Sequence, residues 1–404
     1  MACKIDINKR HFYTFQLLLF TLMTFMRAYG DAMIVSNKTM PINDDFKYIL
    51  LMLATLICIP YVIKHGVINN RYNRDLIRFC ILIGVWAIVS VLFVYNRQAP
   101  RLESTQYWIY IILAFAYSYM IINTVNQKII DMFFKITLLI SILCYMFVEI
   151  GISEFNIANI LSISYTDSYS PFESHSSSGV AISMCAYFGY YRKNNKFWLG
   201  LSILFTFLTF KRLALVMALV YAITPLIFNM DRKLSRKTVF TMGIVVIIVT
   251  LIMSIVLQHQ YVAIINQKFN IDLNQFAMGR VDLYNSLLNL DYKMAGLGTS
   301  KDHLQYFYGK SYGIELELLQ LLLETSIAGL STFIWYCFSI AKRHLYCILL
   351  VLFMVFNMLT SSALASPFSW IFFYLTIWQI RNSSINKTQE VSYGEENKYN
   401  CSNI

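Results

Sequence analysis

Twelve apolar runs divide this chain, and their number and length restrict the possible fold more than any other feature. Charged residues make up only 14% of the chain, whereas a soluble domain has about 25%. Crossing the hydrocarbon core as a helix takes about 20 apolar residues, within a range of roughly 17–25. The sequence therefore predicts an all-α, polytopic integral membrane protein with about 12 transmembrane helices. The runs cover approximately residues 12–27, 46–64, 75–96, 106–124, 129–152, 178–191, 197–210, 212–228, 238–258, 314–340, 343–361 and 366–380.

Positively charged residues are distributed unevenly over the loops between these runs. If the N-terminus lies inside, 21 of the 33 Lys and Arg residues fall on the inner side, and every short inner loop is basic. Cytoplasmic loops carry an excess of Lys and Arg, so both termini are predicted to be cytoplasmic. The net charge of +11 is scattered over short loops. Topology thus explains the charge better than nucleic acid does, and we expect no nucleic-acid partner.

The predicted organisation is a single transmembrane domain over residues 1–380 with a short tail. The tail, residues 381–404, is polar and rich in Asn and Ser, so we expect it to be cytoplasmic and disordered. Three periplasmic loops, at about 28–45, 153–177 and 259–313, are long enough to hold a site. The first apolar run lacks a small-residue cleavage site after it, which indicates a retained helix.

Two adjacent cations, Lys211 and Arg212, interrupt the apolar sequence between the seventh and eighth runs. A charge near bilayer depth costs at least about 2.5–3.5 kcal/mol on insertion scales. One interpretation is that the long side chains extend to the lipid headgroups. However, an outer turn gains no topological benefit from cations. The other interpretation is an anion site at the outer leaflet, because the planar guanidinium group binds two phosphate oxygens at once.

A further outer cation, Arg280, lies in the sequence FAMGRVDLYNSLLN of the largest loop. The residues after Met278 follow a helical pattern with one apolar face, formed by Val281, Tyr284, Leu287 and Leu288. Arg280 would then lie at a helix N-terminus, where backbone N–H groups also bind anions. The alternatives are a solvated charge or an ion pair with Asp282.

Acidic residues gather at the beginning of the tenth run, in the sequence GIELELLQLLLETSIAGL. Glu317, Gln320 and Glu324 are spaced to share one helix face, with Glu324 about 10 Å deeper at ~1.5 Å per residue. A carboxylate inside a span normally faces a polar cavity or a partner, and Arg212 is one such cation. Glu315, roughly 200° around from Glu317 on the helix, is either a general base or an exposed acid at the loop edge.

The second outer loop contains Glu173 and His175 as its only titratable groups after Asp167. A lone His beside Ser residues is more often solvated than catalytic. The chain contains no HExxH, GxSxG, P-loop or paired-Cys motif, and its eight Cys residues have no metal-binding spacing. We therefore expect no metal site.

Taken in order, the stretches SPFESH, TFKRLALVMAL, GRVDLYNSLLN, GLGTS and ELELLQLLLETSIAGL resemble the O-antigen ligase and polymerase superfamily, Wzy-type polymerases in particular. That superfamily typically has a Phe-x-Glu-Pro-like stretch, a Thr-x-Ser/Lys-Arg stretch that opens a helix, and a large outer loop with Arg and Gly-x-Gly. A helix with a Glu before Gly-Ile-x-Gly-Leu follows. The resemblance covers residues 171–330. This chain has Ser174 in place of the Pro, Ser326 in place of the Gly after the helix Glu, and Glu315 where ligases usually have His. The last difference favours a polymerase.

The resemblance implies a metal-independent glycosyltransferase without a cofactor in the bacterial cell inner membrane. Such an enzyme joins undecaprenyl-diphosphate-linked oligosaccharide repeat units into polysaccharide at the periplasmic face. Arg212 and Arg280 fall at the family's Arg positions and are implied to bind the diphosphate. Membrane lipids, a chain-length regulator protein and a flippase are the other partners that it implies.

The remaining candidate residues receive roles from their own chemistry. Lys211 assists the two arginines, and a carboxylate takes the proton from the acceptor hydroxyl, with Glu315 as first candidate and Glu317 as second. The supporting residues are Glu173, His175 and Glu324.

Two other functions fit the same sequence features. One is an O-antigen ligase, which transfers finished polymer to the lipid A core. The other is a lipid-linked oligosaccharide flippase, which should carry cations deep in several helices and have short outer loops. A polymerase for capsule or exopolysaccharide would have the same features as one for O-antigen.

The orientation can be tested with reporter fusions. A reporter after Lys293 is expected in the periplasm, and reporters after Lys233 or Lys398 are expected in the cytoplasm, because the basic loops stay inside. The measurement is the activity of a reporter that works in only one compartment. A cysteine at position 293 that reacts only from the cytoplasm would contradict the predicted orientation.

Overall fold

The computed structural model describes most of the chain, and the described residues are almost entirely helical with no β-strands. An antiparallel bridge joins Lys233 to His344. The described residues are 7–36, 38, 45–68, 71–95, 102–154, 156, 159, 172, 174–209, 211–277, 279–289, 296–309, 314–360 and 366–383.

Sixteen α-helices follow one another within these ranges. The first eight are α1 (Ile7–Val35), α2 (Phe46–His65), α3 (Arg71–Tyr95), α4 (Leu102–Thr124), α5 (Gln127–Cys144), α6 (His175–Tyr190), α7 (Lys196–Leu208) and α8 (Arg212–Ile227). The next seven are α9 (Arg236–Val256), α10 (His259–Phe269), α11 (Leu273–Phe276), α12 (Arg280–Leu288), α13 (Thr299–Tyr308), α14 (Glu317–Ile340) and α15 (Leu345–Thr360). The last, α16, covers residues 367–383. A π-helical turn, Tyr145–Ile150, continues α5, and a short 3-10 turn, Ile152–Glu154, follows it.

Each of the twelve apolar runs overlaps one of these helices, so the all-helical prediction is confirmed for the described residues. The ends differ, since α1 continues to Val35 and α16 to residue 383. Twelve spans and a periplasmic loop stay predictions. Among the described residues, five helices are long and apolar enough to cross a membrane: Lys9–Val35, Phe46–His65, Gln127–Ile150, Arg236–Val256 and Glu317–Ile340.

Several helices begin at a polar residue whose side chain accepts a hydrogen bond from the first turn. Asn126 accepts from the backbone N–H of Ile129 at 3.0 Å, and Ser235 accepts from that of Thr238 at 3.0 Å. Such caps satisfy N–H groups that have no partner inside the helix. These residues therefore define the starts of α5 and α9.

The chain divides into two compact units, and the first comprises residues 1–68, 116–232 and 371–404. In this unit α1 packs against α2 and α5, and α6 packs against α5, α7 and α8. Buried aromatic rings fill the space between the helices. Phe20 stacks on Phe133 with ring centroids 4.0 Å apart, and Phe134 stacks on Tyr187 at 3.9 Å. Large buried rings of this kind supply most of the apolar burial that holds helices together.

The second unit comprises residues 69–115 and 233–370, and α14 packs there against α3, α9 and α15. Phe79 stacks on Tyr336 of α14 at 3.9 Å. The short helices α10 to α13 bury apolar side chains against the start of α14. We call this buried cluster the apolar platform; it consists of Leu257, Val262, Val281, Tyr284, Leu287, Leu304, Ile314, Leu316 and Leu319.

The helix α14 is broken at Ser326, which has φ 63° and ψ 179°. This conformation is adopted almost only by glycine and costs other residues about 1–3 kcal/mol. Just beyond the break, Gly329 lies against the side chain of Thr325, and a Cβ at this position would also lie 3.2 Å from Cζ2 of Trp86. The break therefore depends on a residue without a side chain at position 329.

Candidate functional site

The position of Arg280 is determined by the helix that it begins. It is the first residue of α12, after a left-handed turn at Gly279, and Val281 and Tyr284 are buried in the apolar platform. The predicted amphipathic helix is confirmed, with one correction. Leu288 is 37% exposed, because it lies about 100° around the helix from buried Leu287.

A buried amide attaches α12 to the junction of α9 and α10. The side chain of Asn285 donates to the carbonyl of Leu257 at 2.7 Å and accepts from the backbone N–H of His259 at 2.9 Å. The Tyr284 hydroxyl donates to the carbonyl of Ser254 at 3.1 Å. Sequence analysis missed Asn285, although its place on the apolar face four residues after Val281 was a signal.

Arg280 forms an ion pair with Glu315. Its Nε and Nη2 lie 3.1 and 2.5 Å from the same carboxylate oxygen, Oε2. The side chain of Arg280 is 18% exposed and that of Glu315 is 42% exposed. Asp282, the alternative partner for Arg280, instead accepts a hydrogen bond from Asn274. The structure thus brings together two residues that the sequence analysis assigned to different roles.

Glu315 lies outside α14, so its predicted place on that helix is wrong. It has φ 50°, a left-handed conformation, and the helix begins two residues later at Glu317. Its neighbours Ile314 and Leu316 are both buried in the apolar platform. Because both neighbouring side chains are buried, the chain turns at Glu315. This turn directs the Glu315 side chain away from the platform towards Arg280.

The three polar residues on the first turns of α14 share one buried face, as predicted. Glu317, Gln320 and Glu324 are 2%, 4% and 3% exposed. Gln320 donates from Nε2 to Oε1 of Glu324 at 2.9 Å. Glu317 is therefore much less accessible than Glu315.

Glu324 receives four hydrogen bonds on its carboxylate. Oε2 accepts from the backbone N–H of Gly298 at 2.8 Å, and Oε1 accepts from the backbone N–H and hydroxyl of Ser300 at 3.0 and 2.6 Å. The fourth donor is Gln320. The carbonyl of Glu324 also accepts from the N–H of Gly296 at 2.7 Å. Glu324 therefore attaches the start of α13 to α14, and no cation pairs with it among the described residues.

The remaining predicted site residues lie in the first unit. Lys211 precedes α8 as its N-cap and is partly buried, and Arg212 is the first residue of the helix. His175 is the first residue of α6. The side chains of Arg212 and His175, and the whole of Glu173, lie outside the described residues.

A backbone contact joins the starts of α6 and α8. The N–H of Ser174 donates to the carbonyl of Thr209 at 3.2 Å, and the Ser174 side chain caps α6 by accepting from Ser177. The structure therefore places His175 and the Lys211–Arg212 pair at the same end of the first unit.

Sequence analysis missed a set of polar side chains at this end, which we call the polar cluster: Arg27, Asp31, Lys47, Glu149, Ser176 and Ser177. Arg27 lies 3.1 Å from Asp31, and Lys47 lies 3.6 Å from the same carboxylate. The Ser177 hydroxyl donates to Oε2 of Glu149 at 3.0 Å. The signal in the sequence was the i, i+4 spacing of Arg27 and Asp31 at the end of an apolar run.

Comparisons with known proteins give no relative for this chain. No protein-family model matches it, and no curated protein or solved structure is similar to it. Within the described ranges, no three His, Cys, Asp or Glu side chains are grouped in a way that could hold a metal ion.

The variant Glu324→Gln is expected to lower the amount of protein in the membrane. Its amide NH₂ must face at least one of the backbone N–H donors, and each buried donor left unsatisfied costs about 1–3 kcal/mol. Protein abundance and the unfolding temperature of the purified protein would show the loss. The matched control is Glu315→Gln, which changes a half-exposed carboxylate nearby and should keep both values. Equal stability of the two variants would contradict the anchoring role of Glu324.

Proposed function

We propose that this chain is an O-antigen polymerase, which joins undecaprenyl-diphosphate-linked oligosaccharide repeat units at the periplasmic face of the inner membrane. The ion pair between Arg280 and Glu315 is the observation that carries the proposal. The buried apolar platform holds the pair, and the pair itself keeps access to solvent. Such a pair supplies both a cation for a leaving diphosphate and a carboxylate for a hydroxyl proton.

Arg280 has the properties of a diphosphate ligand. A guanidinium group has five N–H donors, and the two bonds to Glu315 use only Nε and Nη2. A diphosphate offers more oxygens and more negative charge than one carboxylate, so it can replace Glu315. The backbone N–H groups at the start of the nine-residue helix α12 favour an anion at the same place. Arg280 then stabilises the charge that develops on the leaving group.

Replacement by the diphosphate releases the Glu315 carboxylate for chemistry. In the proposed step, the acceptor hydroxyl oxygen forms a bond to the anomeric carbon of the donor sugar. The bond from that carbon to the phosphate oxygen breaks, and the diphosphate leaves with the electron pair. Glu315 takes the hydroxyl proton. Glu317 is the second candidate, and its burial makes it less suited to this role.

Lys211 and Arg212 serve as further diphosphate ligands in this proposal. They begin α8, where the N–H groups of the first turn favour an anion. His175, the first residue of α6, and Glu173 are the proposed supporting residues. The break at Ser326, where the family has Gly, keeps a glycine conformation and so supports the resemblance.

The position of Arg280 favours chemistry over flipping. It lies on a short polar helix before α14, not inside one of the five helices that are long enough to span. A flippase would need its cations along the path that the headgroup takes through the membrane. For the ligase alternative, Glu315 replaces the His that the resemblance leads one to expect.

A strain that lacks this chain should make lipopolysaccharide core with one repeat unit. The gel pattern separates the alternatives, because bare core with accumulated lipid-linked polymer indicates a ligase. Bare core with single repeats kept inside the cell indicates a flippase. Complementation with variants then tests the residues. Arg280→Ala and Arg212→Ala should abolish the ladder of long chains.

The conservative variants should reduce polymerisation by about ten- to a hundredfold. Arg280→Lys and Arg212→Lys keep the charge but lose the planar fork. The loss of a charge-assisted hydrogen bond costs about 1.5–3 kcal/mol, and ~1.4 kcal/mol corresponds to a tenfold change in rate. Glu315→Gln should also lose the ladder. The matched control is Asp282→Asn, an exposed residue in the first turn of α12. A full ladder from Arg280→Ala at normal abundance would refute the proposal.

A further inference from the structure

The polar cluster of the first unit contains four charged side chains at the ends of three helical segments that meet. Arg27 and Asp31 lie near the end of α1, Lys47 near the start of α2, and Glu149 in the π-helical turn that ends α5. The Asp31 carboxylate forms ion pairs with both Arg27 and Lys47. Arg27 also donates a hydrogen bond to the carbonyl of Ser176 at 3.3 Å. Both carboxylate oxygens of Asp31 therefore have partners within the fold.

Glu149 differs from Asp31, because one of its two carboxylate oxygens has no hydrogen-bond partner among the described residues. The residue is 8% exposed, and its Oε2 accepts from the Ser177 hydroxyl. The hydroxyl of Ser174 is also near it, with Arg27 and Asp31 at longer range. Its Oε1 is buried and accepts no hydrogen bond from any described residue. A buried acceptor without a partner is costly, and native proteins rarely keep one without a reason.

A second unpartnered group lies one residue away from the Ser that binds Glu149. The hydroxyl of Ser176 is buried and has no hydrogen-bond partner among the described residues. The π-helical turn that carries Glu149 is a feature often found at functional sites. A free acceptor and a free hydroxyl donor are the two kinds of group that bind sugar hydroxyls, since a hydroxyl can both donate and accept.

The charges of the polar cluster restrict the class of ligand. Asp31 forms ion pairs with both cations, and the group left without a partner is a carboxylate oxygen of Glu149, so the free position does not favour an anion. Because Glu149 would repel a phosphate, the class of ligand that fits the cluster is a neutral molecule rich in hydroxyl groups. Asp31 gives the cluster an open side, since its side chain is 23% exposed.

The surrounding contacts connect the polar cluster to the start of α8. Tyr145 donates to the carbonyls of Phe172 and Leu208 at 2.8 and 2.6 Å. Ser174, two residues before Ser176, donates to Thr209. A sugar held at the polar cluster therefore lies at the same end of this unit as Lys211 and Arg212.

We propose that the polar cluster is a binding site for the sugar hydroxyls of the lipid-linked repeat unit, with Glu149 as acceptor and Ser176 as donor. The identity of the sugar rests on the proposed function, whereas the presence of a hydroxyl site rests on the cluster alone. Each residue holds the sugar in position, and neither reacts with it.

The test measures binding of the sugar without its diphosphate. The probe is the oligosaccharide repeat of the host strain, released from its lipid by mild acid, and the full chain is held in lipid nanodiscs. Calorimetry should show binding to the wild type and about tenfold weaker binding to Glu149→Gln. The control Asp282→Asn, which changes an exposed residue outside the polar cluster, should bind normally.

A second variant keeps the test valid if Glu149→Gln fails to fold. Ser176→Ala removes a hydroxyl that has no partner in the fold, so stability should not fall. Binding should still weaken severalfold. Equal binding by wild type and Ser176→Ala, or no binding to the wild type, would overturn the inference. The deletion strain could show no polymerase defect while both Glu149→Gln and Ser176→Ala bind the oligosaccharide more weakly. The hydroxyl-binding site would then be supported, and only the proposed function would be refuted.

Discussion

The hydrogen-bonded carboxylate of Glu324 is the interaction on which the arrangement of α12, α13 and the start of α14 depends. Four donors surround it, and two of them are backbone N–H groups of the sequence GLGTS, more than twenty residues earlier in the chain. A buried carboxylate is stable only when its oxygens are fully hydrogen-bonded. These hydrogen bonds to the Glu324 carboxylate therefore attach α13 to α14. Leu304 of α13 in turn completes the apolar platform on which Arg280 and Glu315 are held.

The acidic residues of this unit differ in accessibility, and that difference separates their roles. Glu324 has all its hydrogen-bonding capacity used inside the fold, so it is suited to holding structure. Glu315 is half-exposed, and Arg280 contacts only one of its oxygens. In the proposed mechanism, Glu315 gives up its contact with Arg280 and turns to the acceptor hydroxyl, while the apolar platform stays in place. A carboxylate that can change partners is the one suited to accept a proton.

The helical architecture was predictable from the sequence because apolar runs and polar caps are local signals. The face shared by Glu317, Gln320 and Glu324 followed from helical spacing, as did most of the apolar face of α12. The partner of Arg280 was not predictable, since Glu315 is 35 residues away and lies in a left-handed turn that buried neighbours impose. The donors to Glu324 and the polar cluster depend on several segments meeting, which no local pattern encodes. Ser326 adopts a backbone conformation typical of glycine, which its residue type did not indicate.

The most direct test of the account is a reaction with purified components. The full chain would be reconstituted in proteoliposomes with undecaprenyl-diphosphate-linked repeat units as the only sugar substrate. The account predicts oligosaccharides of increasing length on the lipid, with one undecaprenyl diphosphate released for each bond formed. Single repeats that stay unjoined, with no release of undecaprenyl diphosphate by a correctly folded protein, would contradict it.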